Sequence, residues 1–326
     1  MTAGFQFLRR RWIGLAVTVA IFLILFQRIP FSRLLGALGQ ADYALFAAAM
    51  IPNTIFYFCW DTLVLTAVMR WFHGPVRYRD LLPARAASYV VAFFNTNAGR
   101  GALAAYLSRR LGAPFLQLGS TVLFLVLTEY VHLVAWATIG ILQIRSDVPP
   151  ELLWVPPGVA LFWLLVFLYS RVAGAPPPFE WLFAPREWAL LRTFRLAPAL
   201  RYGQVVLLRA PMFFVSLCLH VVAARAFGLE IPFAAMLAFL PVIFMVAALP
   251  ITVARLGTTQ AAWIFFFGPY ADPPRLLAFS LAAHLTFVVT RSLIGIAFLP
   301  RAYAEIVQPF RLMSTDTVIT RRGAPS

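Results

Sequence analysis

The chain has 326 residues, of which 62% are apolar and only 12% charged, and its mean hydropathy is +0.82. A soluble domain is nearer half apolar and a quarter charged, which excludes a soluble enzyme with a polar shell, a disordered chain and a nucleic-acid-binding domain. The apolar content suffices for roughly six to eight membrane crossings at about 20 residues each.

Twenty-seven basic residues stand against 12 acidic ones, and every basic residue is Arg. They are scattered between apolar runs, not gathered on one polar module. An anionic membrane surface or lipid headgroup therefore fits better than nucleic acid. Arg suits that role because its planar fork binds phosphate bidentately. Many of these arginines also satisfy the positive-inside bias of loops. Cys59 and Cys218 lie inside apolar runs, so neither a disulfide framework nor a zinc site is expected.

Taken in order, Trp12 to Phe26 follows Arg9, Arg10 and Arg11 and reads as a signal anchor, the first span. The second span runs from Tyr43 to Met69 and carries Pro52, Asn53 and Asp61; Arg70, Arg77, Arg79 and Arg85 follow as loop residues. Residues 86–111 break the pattern. A short apolar run meets Asn95-Thr96-Asn97-Ala98-Gly99-Arg100-Gly101, and such backbone is tolerated at membrane depth only inside protein or beside water. We expect a re-entrant or interfacial element there. Leu118 to Leu142 is a long span with Glu129 and His132, and Leu152 to Tyr169 is another.

Residues 171–203 alternate Trp, Leu and Phe with Arg, the pattern of an amphipathic segment lying in the interface. Val205 to Phe227 is a span bearing Arg209 and His220. Ile231 to Ile251 is interrupted by Pro241 and Pro250 and ends in a polar break through Arg255 and Gln260; a short run, Ala261 to Phe267, follows. The last span is Leu276 to Leu299, with His284 and Arg291.

The fold expected is an all-α integral membrane protein of six to eight transmembrane helices with two re-entrant or broken elements. Residues 1–300 form one polytopic domain and 301–326 a cytoplasmic tail. Arginine-rich loops put both termini in the cytoplasm. Six crossings result if 86–111 dips from inside and 231–270 from outside. Broken segments in corresponding positions of two halves suggest an inverted repeat around a central substrate site.

Ionisable groups at mid-bilayer cost at least about 2.5–3.5 kcal/mol, so they need partners or water. Asp61, Glu129, His132, Arg209, His220, His284 and Arg291 are such groups. Glu129, near mid-span, most needs a partner, and an arginine is the obvious one. Glu129 with His132, Arg209 with His220, and His284 with Arg291 each share a helical face. No nucleophile elbow, phosphate-binding Gly-rich loop, zinc-protease motif or prenyl-diphosphate motif is present. No catalytic residue, metal or cofactor is assigned.

The order of three features resembles a known family. They are Asn95 to Arg110, Leu127-Thr128-Glu129, and Leu249-Pro250-Ile251-Thr252 with Leu256-Gly257 and Gln260-Ala261-Ala262. Over roughly residues 10–300 the chain resembles the lysylphosphatidylglycerol synthase transmembrane region, a flippase-like family. Against that pattern Arg100 follows Gly99 where Gly-Glu is usual, Tyr130 replaces the arginine of Glu-Arg, Arg255 replaces a glycine and Gln260 a glutamate. At the two breaks two carboxylates are lost and two arginines gained, which disfavours a cationic aminoacyl headgroup and favours a bare phosphate there.

The resemblance implies a translocator of an anionic phospholipid or polyprenyl-phosphate-type lipid in the bacterial inner membrane. Arg100 and Arg255 would bind phosphate, supported by Arg209 or Arg291, with Asn95 and Asn97 as donors. Gln260 lies at the second break, and Glu129 would position an arginine or carry a proton. A membrane-embedded transferase acting on a lipid headgroup and a non-transporting lipid-binding scaffold are the alternatives. Membrane lipids are the expected partners, with a homo-oligomer or a lipid-synthesis enzyme as protein partners left open.

Overall fold

The computed structural model describes residues 16–144, 150–171, 187–248 and 256–307, and the described residues are almost wholly helical. Helix α1 (Ala16–Arg28) and α2 (Phe31–Gly39) meet at 86°. Pro30 stands at the corner, where its ring restricts Ile29 and removes a backbone donor. Asp42 then caps α3 (Tyr43–His73), its Oδ1 accepting from the N–H groups of Ala44 and Leu45 at 3.0 Å each.

Two short antiparallel helices follow, α4 (Tyr78–Phe94) and α5 (Thr96–Leu111). Asn95 makes the turn. Its backbone is extended, and its Oδ1 accepts from Asn97 and Ala98 N–H at 2.9 and 3.0 Å, satisfying donors that a helix start leaves open. Gly99 lets the returning helix pass close, since a Cβ there would lie 2.6 Å from the Ala92 Cβ. The two arms are tied at the base, where Arg110 donates to the Asp80 carbonyl at 2.7 Å. Residues 78–111 therefore enter and leave at one end, a re-entrant hairpin.

Helix α6 (Phe115–Gln143) and α7 (Val155–Arg171) complete the first half. After a short helix α8 (Arg192–Leu196), the pattern repeats as α9 (Ala199–Arg225), α10 (Phe233–Ala248), α11 (Thr258–Phe267) and α12 (Pro273–Val307). Helices α10 and α11 are again antiparallel, with the Phe239 ring 5.1 Å from Phe266 and 6.0 Å from Phe267. Among the described residues four helices, α3, α6, α9 and α12, are long and apolar enough to cross a membrane, or five if the bent pair α1 and α2 counts as one span, where the sequence reading expected six to eight crossings; α7 and α10 are apolar but shorter.

The two halves are related by inversion. Helix α3 lies antiparallel to α9: Asp42 N–H bonds the Ala226 carbonyl at one end, while Arg201 stacks on Trp71 at the other. Helix α4 packs along α12, and α10 along α6, so each hairpin leans on the long helix of the opposite half. The first hairpin shares an apolar core with the start of α6 and the end of α12; the second shares one with the end of α6 and the start of α12. The hairpins thus occupy opposite ends.

The sequence carries a trace of this symmetry. Ile139-Gly140-Ile141 in α6 recurs as Ile294-Gly295-Ile296 in α12, an offset of 155 residues (295 less 140), and α4 and α10 begin at the same offset (233 less 78). Both glycines sit where backbones touch. A Cβ on Gly140 would lie 2.3 Å from the Ala238 nitrogen, and one on Gly295 would lie 2.8 Å from the Ala86 carbonyl oxygen. Small residues allow such close helix approach in lipid.

In the described part of the segment expected at the interface, one side docks on protein while Trp188, Leu196 and Leu200 are exposed. Thr193 and Phe194 are buried; the Thr193 N–H bonds Ser120 Oγ at 2.9 Å, and Phe194 packs edge-on to Phe124 at 5.4 Å. The second polar break, the rest of segment 171–203 and most of the C-terminal tail lie outside the described residues.

Candidate functional site

Between the two apolar cores lies a charged network contributed by five helices. Asp61 of α3, 4% exposed, receives two guanidinium nitrogens of Arg85 from α4. The Tyr89 hydroxyl donates to the same carboxylate at 3.4 Å. Over the Tyr89 ring lies the guanidinium of Arg291 from α12, 3.6 Å from the centroid, with Phe287 at 4.9 Å and Tyr57 at 5.8 Å. The Tyr57 hydroxyl in turn donates to Glu129 of α6 at 3.4 Å, and Glu129 lies 3.8 Å from Arg209 of α9. Arg209 donates to the Leu125 carbonyl at 3.2 Å.

Helical spacing builds these contacts. Tyr57 and Asp61 are one turn apart on α3, and Arg85 and Tyr89 one turn apart on α4, so each pair presents a ring and a charge together. Glu129 stands midway along α6, about 20 Å from either end at 1.5 Å per residue. The network is therefore at mid-depth in a crossing helix.

Two properties mark it as more than a structural lock. The first is charge: three arginines (Arg85, Arg209, Arg291) against two carboxylates (Asp61, Glu129) leave one positive charge. The second is unmet hydrogen bonding. Arg209 Nε and Nη1, Arg291 Nε and His132 Nδ1 are buried with no hydrogen-bond partner among the described residues. Trp136 Nε1 donates to His132 Nε2 at 3.0 Å, so the remaining proton of a neutral His132 sits on Nδ1, a donor without an acceptor. Buried polar groups are nearly always paired; donors left open on two cations call for an acceptor-rich anion.

Access is provided at Glu129, whose side chain is 31% exposed while that of Arg209 is 3% exposed. An ionised carboxylate facing hydrocarbon at mid-depth is costly. Its open side must meet water or a polar headgroup.

The structure brings Glu129, Arg209 and Arg291 into this one network, and the arginine partner expected for Glu129 is Arg209. It places Asn95, Asn97 and Arg100 elsewhere, at the tip of the first hairpin, where the Asn97 Oδ1 accepts from Arg100 at 3.3 Å. Gln260 is fully buried at the start of α11, and its Oε1 accepts from the Gly257 N–H at 2.7 Å. Arg255 lies outside the described residues. Sequence reading missed Arg85, Tyr57 and Tyr89. Arg85 follows three arginines that fit a loop, and only its one-turn spacing to Tyr89 hinted at a buried face.

Opposed re-entrant hairpins, long apolar helices and a net-positive network between them define a multi-pass, all-α membrane protein with an internal polar site. The chain belongs to the lysylphosphatidylglycerol synthase transmembrane-region family, whose model matches residues 11–295. That membership ties it to membrane lipids. No curated protein matches the chain.

Proposed function

We propose that the protein translocates an anionic phospholipid or polyprenyl-phosphate-type lipid across the bacterial inner membrane, without making or breaking a bond in it. The observation that carries this reading is the set of open guanidinium donors on Arg209 and Arg291 at mid-depth. A phosphate filling them crosses the costliest part of the bilayer while bound, and its acyl chains remain in lipid. Glu129 holds Arg209 between passages. Arg100 on the first hairpin, and Arg255 at the same 155-residue offset (255 less 100), receive the headgroup, one for each leaflet. Asn95 and Asn97 shape the first break, and Gln260 caps the start of α11.

The two halves rock against each other around the network, as inverted repeats do in transporters. Arg70, Arg77, Arg109, Arg110, Arg192, Arg195 and Arg301 gather at the end where α3 and α12 finish. Positive-inside bias makes that end, with both termini, cytoplasmic.

Purified protein in vesicles is expected to speed transbilayer movement of a fluorescent phosphatidylglycerol above that of protein-free vesicles. Arg291→Gln is expected to lower the rate about tenfold or more, the loss from removing a charged hydrogen-bond donor. Equal rates for wild type and variant, or a wild type no faster than empty vesicles, contradict the proposal.

A further inference from the structure

The network has a second open end, of opposite character. Glu129 is exposed on one side, and both of its contacts are long: 3.4 Å from the Tyr57 hydroxyl and 3.8 Å from Arg209. Its carboxylate keeps acceptor capacity that nothing among the described residues fills. Arg209, with open donors, lies 3.8 Å from it, and Tyr57 links it to Arg291, donating to Glu129 while the Arg291 guanidinium lies 5.8 Å from the Tyr57 ring centroid. The site therefore offers cations and an acceptor side by side. A bare anion satisfies only the first.

The charge count constrains what satisfies both. The network carries one net positive charge, so a ligand with one net negative charge neutralises it. A zwitterionic headgroup, with an ammonium on Glu129, leaves that charge uncompensated in low dielectric. A neutral hydroxyl on Glu129 leaves the phosphate charge to the arginines.

We propose that this site takes a phosphodiester lipid with one net negative charge and a free hydroxyl on its headgroup, the phosphate lying on Arg209 and Arg291 and the hydroxyl donating to Glu129. The inference rests on the lipid-binding reading above and narrows it. It assigns specificity to Glu129: the carboxylate selects the headgroup's free end, while the arginines hold its charge.

Binding of short-chain lipids to the purified full-length protein in detergent tests this separately from transport. The probes are dioctanoyl phosphatidylglycerol, phosphatidylmethanol, phosphatidylethanolamine and phosphatidic acid, with water-soluble glycerophosphoglycerol as the headgroup without chains. Phosphatidylmethanol has the charge of phosphatidylglycerol but no hydroxyl. Phosphatidylglycerol is expected to bind tightest, and phosphatidylmethanol about tenfold more weakly, the difference made by one hydrogen bond to a charged acceptor.

In Glu129→Gln that ratio is expected to fall towards one, with phosphatidylmethanol affinity retained or raised. Wild-type protein binding phosphatidylmethanol or phosphatidylethanolamine as tightly as phosphatidylglycerol overturns the inference, and this ratio decides even if the variant does not fold. Phosphatidic acid binding tightest overturns the single-charge assignment. Glycerophosphoglycerol binding as tightly as the lipid removes lipid from it. Binding of none of the probes contradicts the proposed function itself, a different outcome from binding without discrimination.

Discussion

Replacing Asp61 with Ala is expected to destabilise the protein by about 3–5 kcal/mol, the usual cost of stranding one partner of a buried ion pair. Arg85 donates two nitrogens to this carboxylate, and Asp61 is 4% exposed. Without it, Arg85 and Arg291 face the same Tyr89 ring, at 5.2 and 3.6 Å, with no carboxylate between them. Two guanidinium groups beside one aromatic ring in lipid repel each other and lack a carboxylate partner. The consequence is separation of α4 from α3, and with it loss of the first hairpin. Removing both partners, as Asp61→Ala with Arg85→Met, is expected to recover most of the loss, because paired removal leaves no isolated charge. Thermal unfolding in detergent, followed by fluorescence-detected size exclusion, measures both. Asp61→Ala melting with wild type, or a double variant no better than the single one, is incompatible with this account.

The second large effect is expected at the two symmetry-related glycines. Gly140→Ala places a Cβ 2.3 Å from the Ala238 nitrogen and 2.5 Å from its Cα. Both are backbone atoms of α10 and cannot rotate away, so the helices must move apart. At Gly295 the nearest atoms are Val90 Cγ2 at 2.7 Å and the Ala86 carbonyl oxygen at 2.8 Å, a milder overlap that still includes backbone. Overpacking costs about 1–3 kcal/mol, with Gly140→Ala at the upper end or beyond and Gly295→Ala below it. Gly101→Ala in α5, where nothing lies within 4 Å, is expected to be neutral or stabilising by up to about 1 kcal/mol, the helix-propensity difference. The order Gly140, Gly295, Gly101 in melting temperature is the check. Gly101→Ala as harmful as Gly140→Ala would show that these contacts do not hold the halves together.

Much of the architecture is legible from residues alone, because lipid imposes a simple rule: long apolar runs cross and polar breaks do not. The first break at Asn95 reads as a re-entrant or interfacial element over 86–111 and the run around Glu129 as a crossing helix; the hairpin itself begins earlier, at Tyr78, so that Arg79 and Arg85 lie on α4 and not in a loop. The recurrent Ile-Gly-Ile is too short to stand out among so many apolar residues; it acquires meaning only once α4 and α10 are seen lying across the two glycines. The site is less legible. Glu129, Arg209 and Arg291 advertise themselves by their cost in hydrocarbon. Arg85 does not, since it follows Arg70, Arg77 and Arg79 and resembles one more loop arginine. Tyr57 and Tyr89 are invisible in composition, because tyrosine is ordinary in a membrane helix; their role comes from tertiary packing that brings α3, α4 and α12 to one point. The described polar tips, chosen from sequence as part of the site, carry caps at Asn95 and Gln260, and the charges cluster between the halves.

The most direct test of the account is a cryo-electron microscopy map of the full-length protein in nanodiscs rich in phosphatidylglycerol. The account predicts headgroup density at mid-depth, with its phosphate within hydrogen-bonding distance of Arg209 and Arg291. A map in which those guanidinium groups are met only by protein atoms or acyl chains, and every headgroup stays at the two membrane surfaces, would contradict it.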